Sequence, residues 1–561
     1  MIYALESKKN NCKNCYKCIR GCPMKSISFM DNQASIIHDA CILCGKCYLL
    51  CPQDAKEIRN DLASVIKMLS SHEKVIVSLA PSYSANWPNS SFNEIKKSLI
   101  KLGFYDVEET AIGATIVKSA YDQILNSGKK DILISSCCHS INLLIEKHYP
   151  ELLLYLADVL SPMLAHGRDI KSRHKDAKVV FVGPCIAKKD EVDGSKDTNY
   201  VDTALTFIEI EELLKTNNVA VKEVEKDIPL EKSKARLFPL AGGIIKTMNC
   251  DAKDYQYLVI DGVENAISAL NDIKNGHIHH CFIEMSACSG SCINGPAMNK
   301  DSRAIIKGYL AVSSRAGSKD FDTIGTYSDI KKVYNRSFVT SAIPAEEDIE
   351  KKMKEMGKTD KNKELNCGSC GYNTCREKAI AILQGKAVKE MCLPYLMERA
   401  QSFSNHIVYN TPNGLMVLDE NLNIQLANKA MCEIVDVSSK EELIGSSITT
   451  ILEPELFAKS LGGINTMRKK VYLSEYDKYV EETVIYDAKF HIIVAILKDI
   501  TSEQKELLKK DEMIAKSVEI TDKVIEKNMR VVQEIASLLG ESAAETKVAL
   551  NSLKDTLEND K

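Results

Sequence analysis

Short apolar runs and amphipathic segments alternate through the middle of the chain. Residues 75–79 (VIVSL), 132–135 and 179–182 are apolar runs of strand length, whereas 92–102 and 141–156 carry the apolar spacing of helices. Apolar runs without polar alternation are typical of strands that are buried on both faces of a parallel sheet. The pattern therefore predicts an α/β core in which strands and helices alternate, with functional loops at the strand ends.

The pattern changes beyond residue 345. Residues 346–362 (EEDIEKKMKEMGKTDKN) are charged and poor in helix breakers, which predicts a linker helix. Two strand-like stretches and a helix starting near Asn428 follow in residues 411–437, and a last strand runs through 490–499. This order predicts a small α+β domain from about Phe403.

The last 60 residues contain no proline and predict a long helix. Apolar residues recur there every seven positions and have apolar neighbours, which predicts a seam for a partner helix. The seam consists of Val518, Ile525, Val532 and Leu539, flanked by Val524, Val531 and Leu538. We expect Gly540 to end this helix and residues 543–554 to form a second, shorter one.

Composition and charge exclude several classes of protein. The 561 residues exceed one hydrophobic core, so we expect three to five domains. A net charge of −4 without a long basic run argues against nucleic acid as the main partner. No apolar stretch reaches the ~18 residues of a membrane span, and the N-terminus MIYALESKKNNCKNC lacks a signal core, so we expect a cytoplasmic protein.

The 20 cysteines cluster tightly, which indicates metal binding rather than disulfides. Residues 1–60 carry the C-x2-C-x2-C-x3-C-P run of two-cluster ferredoxins twice. In such runs the fourth cysteine reaches across to the other cluster. The predicted ligand sets for the two [4Fe–4S] clusters are therefore Cys12, Cys15, Cys18 and Cys51, and Cys41, Cys44, Cys47 and Cys22. Zinc remains the alternative metal for both sets.

A third array has the spacing C-x2-C-x4-C-x16-C and resembles the single-[4Fe–4S] module found beside several anaerobic redox enzymes. Its cysteines are Cys367, Cys370, Cys375 and Cys392. Zinc is again the alternative. Cys250, Cys281 and Cys432 match no motif, and we expect them to be ordinary packed cysteines.

Three further segments occur in the order SSCC (135–138), GPCIAKKDE (183–191) and FIEMSACSGSCINGP (282–296). Together they resemble the three cysteine signatures of [FeFe]-hydrogenases, over roughly residues 1–345. The resemblance implies the H-cluster, which is a [4Fe–4S] cubane bridged to a di-iron site with CO, cyanide and dithiolate ligands. The implied cubane ligands are Cys138, Cys185, Cys288 and Cys292.

The same resemblance implies roles for residues beside the cluster. Lys188 matches the lysine that hydrogen-bonds one cyanide, and Ala80, Pro81 and Ser82 match the segment that cradles the other. Cys137 matches the cysteine that passes protons to and from the dithiolate. We therefore predict that Cys137 and Lys188 are the catalytic residues.

Several positions depart from the family pattern. His139 stands where a proline is usual, and Gly183 and Ser286 stand where methionines are usual. The relay glutamates align with Ser119 and Asp122, and the relay serine between them with Ala157. Alanine cannot pass a proton, and serine does so only through water, so we expect slow turnover.

Residues 411–437 and 490–506 resemble the opening and the closing strand of a PAS domain; another small α+β sensor or dimerisation fold is the alternative. Met416, Met431 and Cys432 are expected in its core. No histidine-kinase core, phosphatase domain or DNA-binding motif is evident, so any output must pass to another protein.

The sequence thus predicts a multidomain α/β protein with five parts. These are a two-[4Fe–4S] ferredoxin-like domain (1–60), a two-lobed α/β [FeFe]-hydrogenase catalytic domain (61–345), a single-[4Fe–4S] domain (346–400), an α+β PAS domain (401–505) and a helical dimerisation or output tail (506–561).

This organisation resembles the sensory [FeFe]-hydrogenases of anaerobes, in which slow H2 oxidation reports through iron–sulfur clusters to a signalling partner. The expected partners are H2 and protons, an electron carrier such as ferredoxin, a downstream signalling protein and a second copy of the chain. A ferredoxin-linked catabolic hydrogenase and a non-enzymatic iron–sulfur redox signalling protein remain the alternatives.

Overall fold

The structure is a computed structural model. The residues that it describes are 3–8, 11–195, 198–224, 231–249, 252, 254–299, 303–323, 326–337, 339, 342–462, 466–539, 552, 554 and 556. They form two compact units, residues 1–395 and residues 396–561.

Residues 3–60 form two antiparallel strand pairs, with a short helix after each cysteine loop. The elements are β1 (Leu5–Ser7), α1 (Lys17–Arg20), β2 (Ile27–Met30), β3 (Gln33–Ile36), α2 (Lys46–Leu50) and β4 (Lys56–Ile58). β1 pairs with β4, and β2 pairs with β3. Both helices start after a residue in the left-handed region, Tyr16 at φ 55° and Gly45 at φ 73°, so the repeated cysteine pattern makes the same turn twice.

Two parallel sheets follow. Their strands are β5 (Val75–Leu79), β6 (Asp106–Glu109), β7 (Ile132–Ile134), β8 (Lys178–Gly183), β9 (Thr203–Thr206), β10 (Gln256–Asp261) and β11 (Cys281–Ser286). The orders are β6–β5–β8–β9 and β10–β11–β7. β5, β7 and β11 are buried along their whole length, as expected for strands that helices cover on both faces.

The helices that cover these sheets are mostly amphipathic. They are α3 (Leu62–Ser70), α4 (Tyr83–Asn86), α5 (Phe92–Lys101), α6 (Ala111–Asn126), α7 (His139–His148), α8 (Pro162–Arg173), α9 (Ala187–Gly194), α10 (Phe207–Thr216), α11 (Gly243–Thr247), α12 (Val263–Lys274) and α13 (Ile305–Ser313).

The predicted strands and helices in this region mostly agree with the structure. Residues 75–79, 132–135 and 179–182 correspond to β5, β7 and β8, and 92–102 to α5. The helix predicted over 141–156 is wrong in its second half. α7 ends at His148 because Pro150 excludes helical backbone at Tyr149 (φ −135°, ψ 48°), and a 3-10 helix continues over Pro150–Tyr155.

Beyond residue 345 the first unit ends with two helices that pack on each other, α14 (Glu346–Glu355) and α15 (Cys375–Leu383). α14 is shorter than the predicted linker helix because Gly357, at φ 74°, turns the chain in the left-handed region. Ile349, Met353 and Ala379 form a small core between them.

The second unit contains a five-stranded antiparallel sheet in the order β13–β12–β16–β15–β14. The elements are α16 (Leu393–Asn410, which begins in the first unit), β12 (Gly414–Asp419), β13 (Ile424–Ala427), α17 (Lys429–Ile434), α18 (Glu455–Leu461), β14 (Thr466–Leu473), β15 (Lys478–Asp487), β16 (Ile492–Asp499) and α19 (Thr501–Leu539). Asn428 caps α17 by accepting a hydrogen bond from Met431 N at 2.9 Å.

The tail is helical from Thr501, one residue before the predicted start of the helix at 502. Val518 and Ile525 of the predicted seam are half-buried, whereas Val524 is exposed. The side chains of the remaining seam residues, Gly540 and almost all of the second predicted helix lie outside the described residues.

Candidate functional site

The carboxyl ends of four parallel strands supply the loops of the candidate metal centre. β5 runs into Ala80-Pro81-Ser82 and β8 into Pro184-Cys185, both from the first sheet. From the second sheet, β7 runs into Ser135–Cys138 and β11 into Ala287–Cys292. Rigid buried strands on both sides thus position every one of the hydrogenase-like motifs.

The structure brings Cys138, Cys185, Cys288 and Cys292 together. Burial, followed by the neighbouring sulfurs, raises the pKa of Cys288 well above its usual value and that of Cys292 to about 12. The same causes raise the pKa of Cys185 to about 11. Thiolates packed this closely repel each other in a buried site, so the quartet suits a cationic iron centre that takes up their charge.

Lys188 lies beside this quartet and is 9% exposed. Its Nζ donates to Glu191 Oε2 at 2.5 Å and to the Cys137 carbonyl at 3.3 Å. Burial acts to lower the pKa of Lys188, but the carboxylate of Glu191 outweighs it, and the pKa is raised. The side chain therefore presents a permanent ammonium at the cysteines.

Ser82 adds a polar group to the same region. Its Oγ is buried and finds no hydrogen-bond partner in the part of the chain that the structure describes. A buried hydroxyl without a partner is costly, so a ligand that accepts a hydrogen bond fits this position. The observation agrees with a cyanide-bearing group held by residues 80–82.

Cys137 contacts a tyrosine instead of the predicted relay. Tyr121 Oη lies 3.2 Å from Cys137 Sγ and 3.2 Å from Ser136 Oγ, and it accepts a hydrogen bond from Ser136 N. Burial raises the pKa of Cys137 to about 12, so the thiol is protonated at neutral pH. The negative charge of Glu284 also raises the pKa of Cys137, and burial raises the pKa of Glu284 itself to about 7.

The residues that align with the relay glutamates and the relay serine of the family form no equivalent path to Cys137. Ser119 Oγ donates to the Thr115 carbonyl of its own helix at 2.9 Å. The carboxylate of Asp122 accepts from Asn249 N and lies 3.9 Å from Lys118 Nζ. Ala157 is fully buried and carries no polar side-chain atom.

Tyr121 and Glu284 were therefore missed in the sequence. Nothing in the spacing around Tyr121 distinguishes it from a core residue. Glu284 did carry a signal, because a lone carboxylate within the apolar run FIEMS is unusual in a buried strand. It accepts hydrogen bonds from Gly242 N at 2.9 Å and Ile245 N at 3.0 Å, the turn that opens α11.

Two of the three departures from the family pattern have a structural account. His139 Nε2 lies 2.8 Å from Asp190 Oδ2, so it ties α7 to α9. A Cβ at Gly183 would lie 2.7 Å from the Phe181 ring, which fills the space of a larger side chain. Nothing in the structure explains why Ser286 replaces a methionine.

Three cavities are each lined by four cysteines. The first is lined by Cys12, Cys15, Cys18 and Cys51. The second is lined by Cys22, Cys41, Cys44 and Cys47. The third is lined by Cys367, Cys370, Cys375 and Cys392. The fourth cysteine of each N-terminal run thus faces the other run's cavity.

Backbone amides point at sulfurs in these cavities. Cys22 Sγ accepts from Ser26 N, Cys51 Sγ accepts from Ala55 N at the same 3.3 Å, and Cys41 Sγ accepts from Leu43 N at 3.4 Å. Such bonds favour the ionised sulfur and are a usual means of tuning iron–sulfur potentials. The cavities therefore fit cubane clusters in their donor set.

The second cavity adjoins the hydrogenase-like centre. A Cβ at Gly45 would lie 2.5 Å from Pro296 Cβ and 2.9 Å from Ile186 Cδ1, so the two loops are in direct contact. Cys44 is close enough for its charge to raise the pKa of Cys288. Electron carriers in the second cavity and in the hydrogenase-like centre would therefore be neighbours.

The third cavity packs on the N-terminal loops. A Cβ at Gly371 would lie 2.7 Å from Ile19 Cγ2. Arg20 donates to the Ser369 carbonyl at 2.9 Å, and Lys25 donates to the Gly371 carbonyl at 2.7 Å. The 367–392 cysteines are thus tied to residues 19–25.

Lys378 lines the third cavity and is fully buried. Its Nζ lies 3.0 Å from Met391 Sδ and 5.3 Å from the centroid of the Tyr372 ring. Burial lowers the pKa of Lys378 to about 8, against the opposing effect of Cys370 and Cys392. At neutral pH it therefore places a positive charge in the cavity wall.

One other group of side chains has metal-ligand spacing, Glu108, His166 and Asp169, whose ligand atoms lie within 4.8 Å of one another. Arg173 donates to Glu108 at 2.6 and 3.0 Å and to Asp169 at 2.9 Å. His166 also bonds Ser78 Oγ at 2.8 Å. The guanidinium already neutralises both acids, so this group is an ion-pair network.

The packed cysteines are as expected where they are described. Cys281 and Cys432 are buried in hydrophobic cores, and so are Met416 and Met431. Cys250 lies outside the described residues. Among the described helices, none is long and apolar enough to cross a membrane.

Comparisons with known proteins agree with this geometry. Residues 73–296 match the family "Iron only hydrogenase large subunit, C-terminal domain", residues 4–65 the "4Fe-4S dicluster domain", residues 364–394 an Fe-S cluster family and residues 403–469 the "PAS fold". The chain therefore carries an iron-only hydrogenase domain, a dicluster domain and a PAS domain.

Two curated relatives are iron hydrogenases. The chain is 28% identical to iron hydrogenase 1 of Clostridium pasteurianum, over 44% of this chain and 53% of that protein. It is 25% identical to the periplasmic [Fe] hydrogenase large subunit of Nitratidesulfovibrio vulgaris, over 42% of this chain and 66% of that protein. The chain thus spans less than two thirds of either relative. A solved [FeFe]-hydrogenase from Chlamydomonas reinhardtii aligns with a TM-score of 0.40 and 15% identity, over 50% of this chain and 100% of that one.

Proposed function

We propose that this chain, an iron–sulfur [FeFe]-hydrogenase-like protein with a PAS domain, slowly and reversibly oxidises H2 and passes the redox state to a signalling output. The observation that carries the proposal is the meeting of four strand-end loops at Cys138, Cys185, Cys288 and Cys292, with Lys188 and Cys137 beside them. We place the protein in the cytoplasm of an anaerobe.

The four cysteines would hold the cubane of an H-cluster. Residues 80–82 and Lys188 would hold the cyanide-bearing part, since the buried ammonium and Ser82 Oγ both offer hydrogen bonds. When bound, the H-cluster supplies the low-valent iron at which H2 is split.

Cys137 would pass protons between the centre and the rest of the protein. A protonated buried thiol can donate, and Tyr121 Oη at 3.2 Å can accept and return the proton. Ser119 and Asp122 are engaged elsewhere, and Ala157 has no polar side-chain atom. The route behind Cys137 is therefore poor, which supports slow turnover.

Electrons would leave through the cysteine cavities. The contact of Gly45 with Pro296 supports transfer from the centre to the Cys22/41/44/47 cluster. The contact of Gly371 with Ile19 supports a further step to the 367–392 cluster. We assign three accessory [4Fe–4S] clusters to residues 1–60 and 346–400, and the H-cluster to residues 61–345.

The output would lie in residues 401–505, the PAS domain, and 506–561, the helical tail. The half-buried Val518 and Ile525 support pairing of α19 with a second copy or with a signalling partner. Coupling requires that reduction favours one of two states of this region. Hydrogen exchange of α19, measured under argon and under H2, should differ; identical exchange would remove the sensory part of the proposal.

Infrared spectroscopy of the anaerobically matured protein tests the enzyme. We expect CO and cyanide bands under argon that shift under H2. Iron content for cubanes alone, without such bands, would leave a non-enzymatic redox protein. Fast H2 evolution with reduced ferredoxin that survives deletion of residues 401–561 would instead indicate a catabolic hydrogenase.

A further inference from the structure

Glu482 is a buried carboxylate inside the second unit. It lies on β15 between Val480 and Val484, whose side chains face the apolar core. The residue is 5% exposed, and its Oε1 has no hydrogen-bond partner among the residues that the structure describes. A lone carboxylate at such a position destabilises the fold unless a counter-charge reaches it.

Glu482 lines a cleft of about 320 Å³ that opens to solvent. The other walls are the segment 449–456, which leads into α18, and the segment 469–476, which ends β14. A ligand can therefore enter from solvent and reach the carboxylate within the sheet.

Acidic groups outnumber basic ones around this cleft. Its lining contains four carboxylates and one ammonium, and Lys459 outside the lining pairs with Glu455 at 2.5 Å, so two negative charges remain in excess. The carboxylates are Glu453, Glu455, Glu475 and Glu482, and the ammonium is that of Lys469. Lys469 sits opposite Glu482 in the strand register, but its Nζ lies 3.9 Å from Glu455 Oε2 and is half exposed.

Electrostatics around Glu482 point the same way. Burial, only partly offset by Lys469, raises the pKa of Glu482 to about 7, and Glu453 raises it further. A cation bound between these two acids would relieve both burial and repulsion.

A bare metal ion does not fit the cleft. Within the described residues, no three of its acidic side chains bring their oxygens within 4.8 Å of one another. Apolar groups also form part of the wall, namely Leu452, Leu456, Val471, Leu473 and Tyr476. The lining therefore suits an organic body attached to a charged head.

We propose that this cleft binds a small organic cation, a protonated amine or guanidinium on an apolar body, with the charged head paired to Glu482 and the body against the apolar wall. The PAS-domain unit would thus receive a chemical input of its own. The proposal does not depend on H2 chemistry in the first unit.

Isothermal titration calorimetry of the full chain at pH 7.5 tests the proposal. The probes are phenethylamine and butylguanidine, each with a neutral isostere, 2-phenylethanol and N-butylurea. We expect the two cations to bind with a Kd below about 1 mM and the neutral compounds to bind far more weakly. This comparison uses only the unaltered protein, so it needs no variant that must fold.

Variants then locate the binding. In Glu482→Gln the cations should bind about 30-fold or more weakly, because a buried hydrogen-bonded charge pair is lost. Glu481→Gln is the matched control, because Glu481 points to the other face of β15 and accepts a hydrogen bond from Arg468 Nη2 at 2.9 Å. Glu453→Gln should weaken binding by a smaller factor.

Glu482→Gln should also melt at a higher temperature without ligand, since it removes an unpaired buried charge. The proposal is overturned if cations and neutral isosteres bind alike, if neither cation binds, or if Glu481→Gln loses as much affinity as Glu482→Gln.

Discussion

Replacing Lys378 by methionine should lower the reduction potential of the 367–392 cluster. The lysine is fully buried in the wall of that cavity, and its ammonium has a thioether and an aromatic ring as neighbours. A positive charge beside a cluster stabilises the reduced, more negative form. Methionine keeps the length and the packing of the side chain but removes this charge.

The magnitude follows from Coulomb's law. For a separation set at about 7 Å, a unit charge contributes about 2.4 kcal/mol at an effective dielectric constant of about 20. For a one-electron couple this corresponds to about 100 mV. The pKa of Lys378, lowered to about 8 by burial, leaves the side chain mostly charged at pH 7, so nearly the full shift should appear.

Redox titration of the reconstituted full chain, followed by electron paramagnetic resonance, measures the shift. Lys363→Met is the control, because Lys363 is exposed in the same module and water screens its charge. A Lys378→Met shift below about 30 mV, or an equal shift in the control, would refute the electrostatic reasoning.

Three other changes test separate parts of the structure. Gly45→Ala should slow reduction of the accessory clusters by H2 and destabilise the protein by about 1–3 kcal/mol. Gly128→Ala is the control, because Gly128 has a similar φ but no neighbour within 4 Å, and it should leave the rate unchanged. Equal rates in the two variants would contradict the loop contact. Tyr121→Phe should slow turnover about tenfold or more without moving the infrared bands, and an unaltered rate would remove Tyr121 from the proton route of Cys137. The pKa of Glu108 is lowered to about 2, so Glu108→Gln should reduce the free energy of unfolding by about 2 kcal/mol at pH 7 and by progressively less below pH 4.5. Protection in hydrogen exchange measures this loss of stability. A loss that grows on acidification would contradict the reasoning.

Local patterns predicted the strands and the cysteine groups well, because these depend on residues that are close in the chain. The run 75–79 became β5, and the repeated spacing in residues 1–60 placed Cys22 and Cys51 at each other's cavities. At Pro150 the apolar periodicity predicted a continuous α-helix, but the proline ended it.

The polar contacts of the centre, and those of the cleft in the second unit, could not be predicted, because they depend on contacts between distant segments. Tyr121 meets Cys137 only once α6 packs against the end of β7. Glu482 is an ordinary residue of an alternating strand until the fold leaves it without a donor. Resemblance to a family points to candidate ligands, whereas a contact such as that of Tyr121 with Cys137 appears only in three dimensions.

The exchange of fourth cysteines also constrains the order of biosynthesis. Neither N-terminal cavity is complete while the first cysteine run alone has left the ribosome. The Cys22/41/44/47 set becomes complete when Cys47 emerges, and the Cys12/15/18/51 set only with Cys51, four residues later. Insertion of clusters into these two sets would therefore wait until both halves of the repeat are present, and a chain truncated between them would retain neither N-terminal set complete.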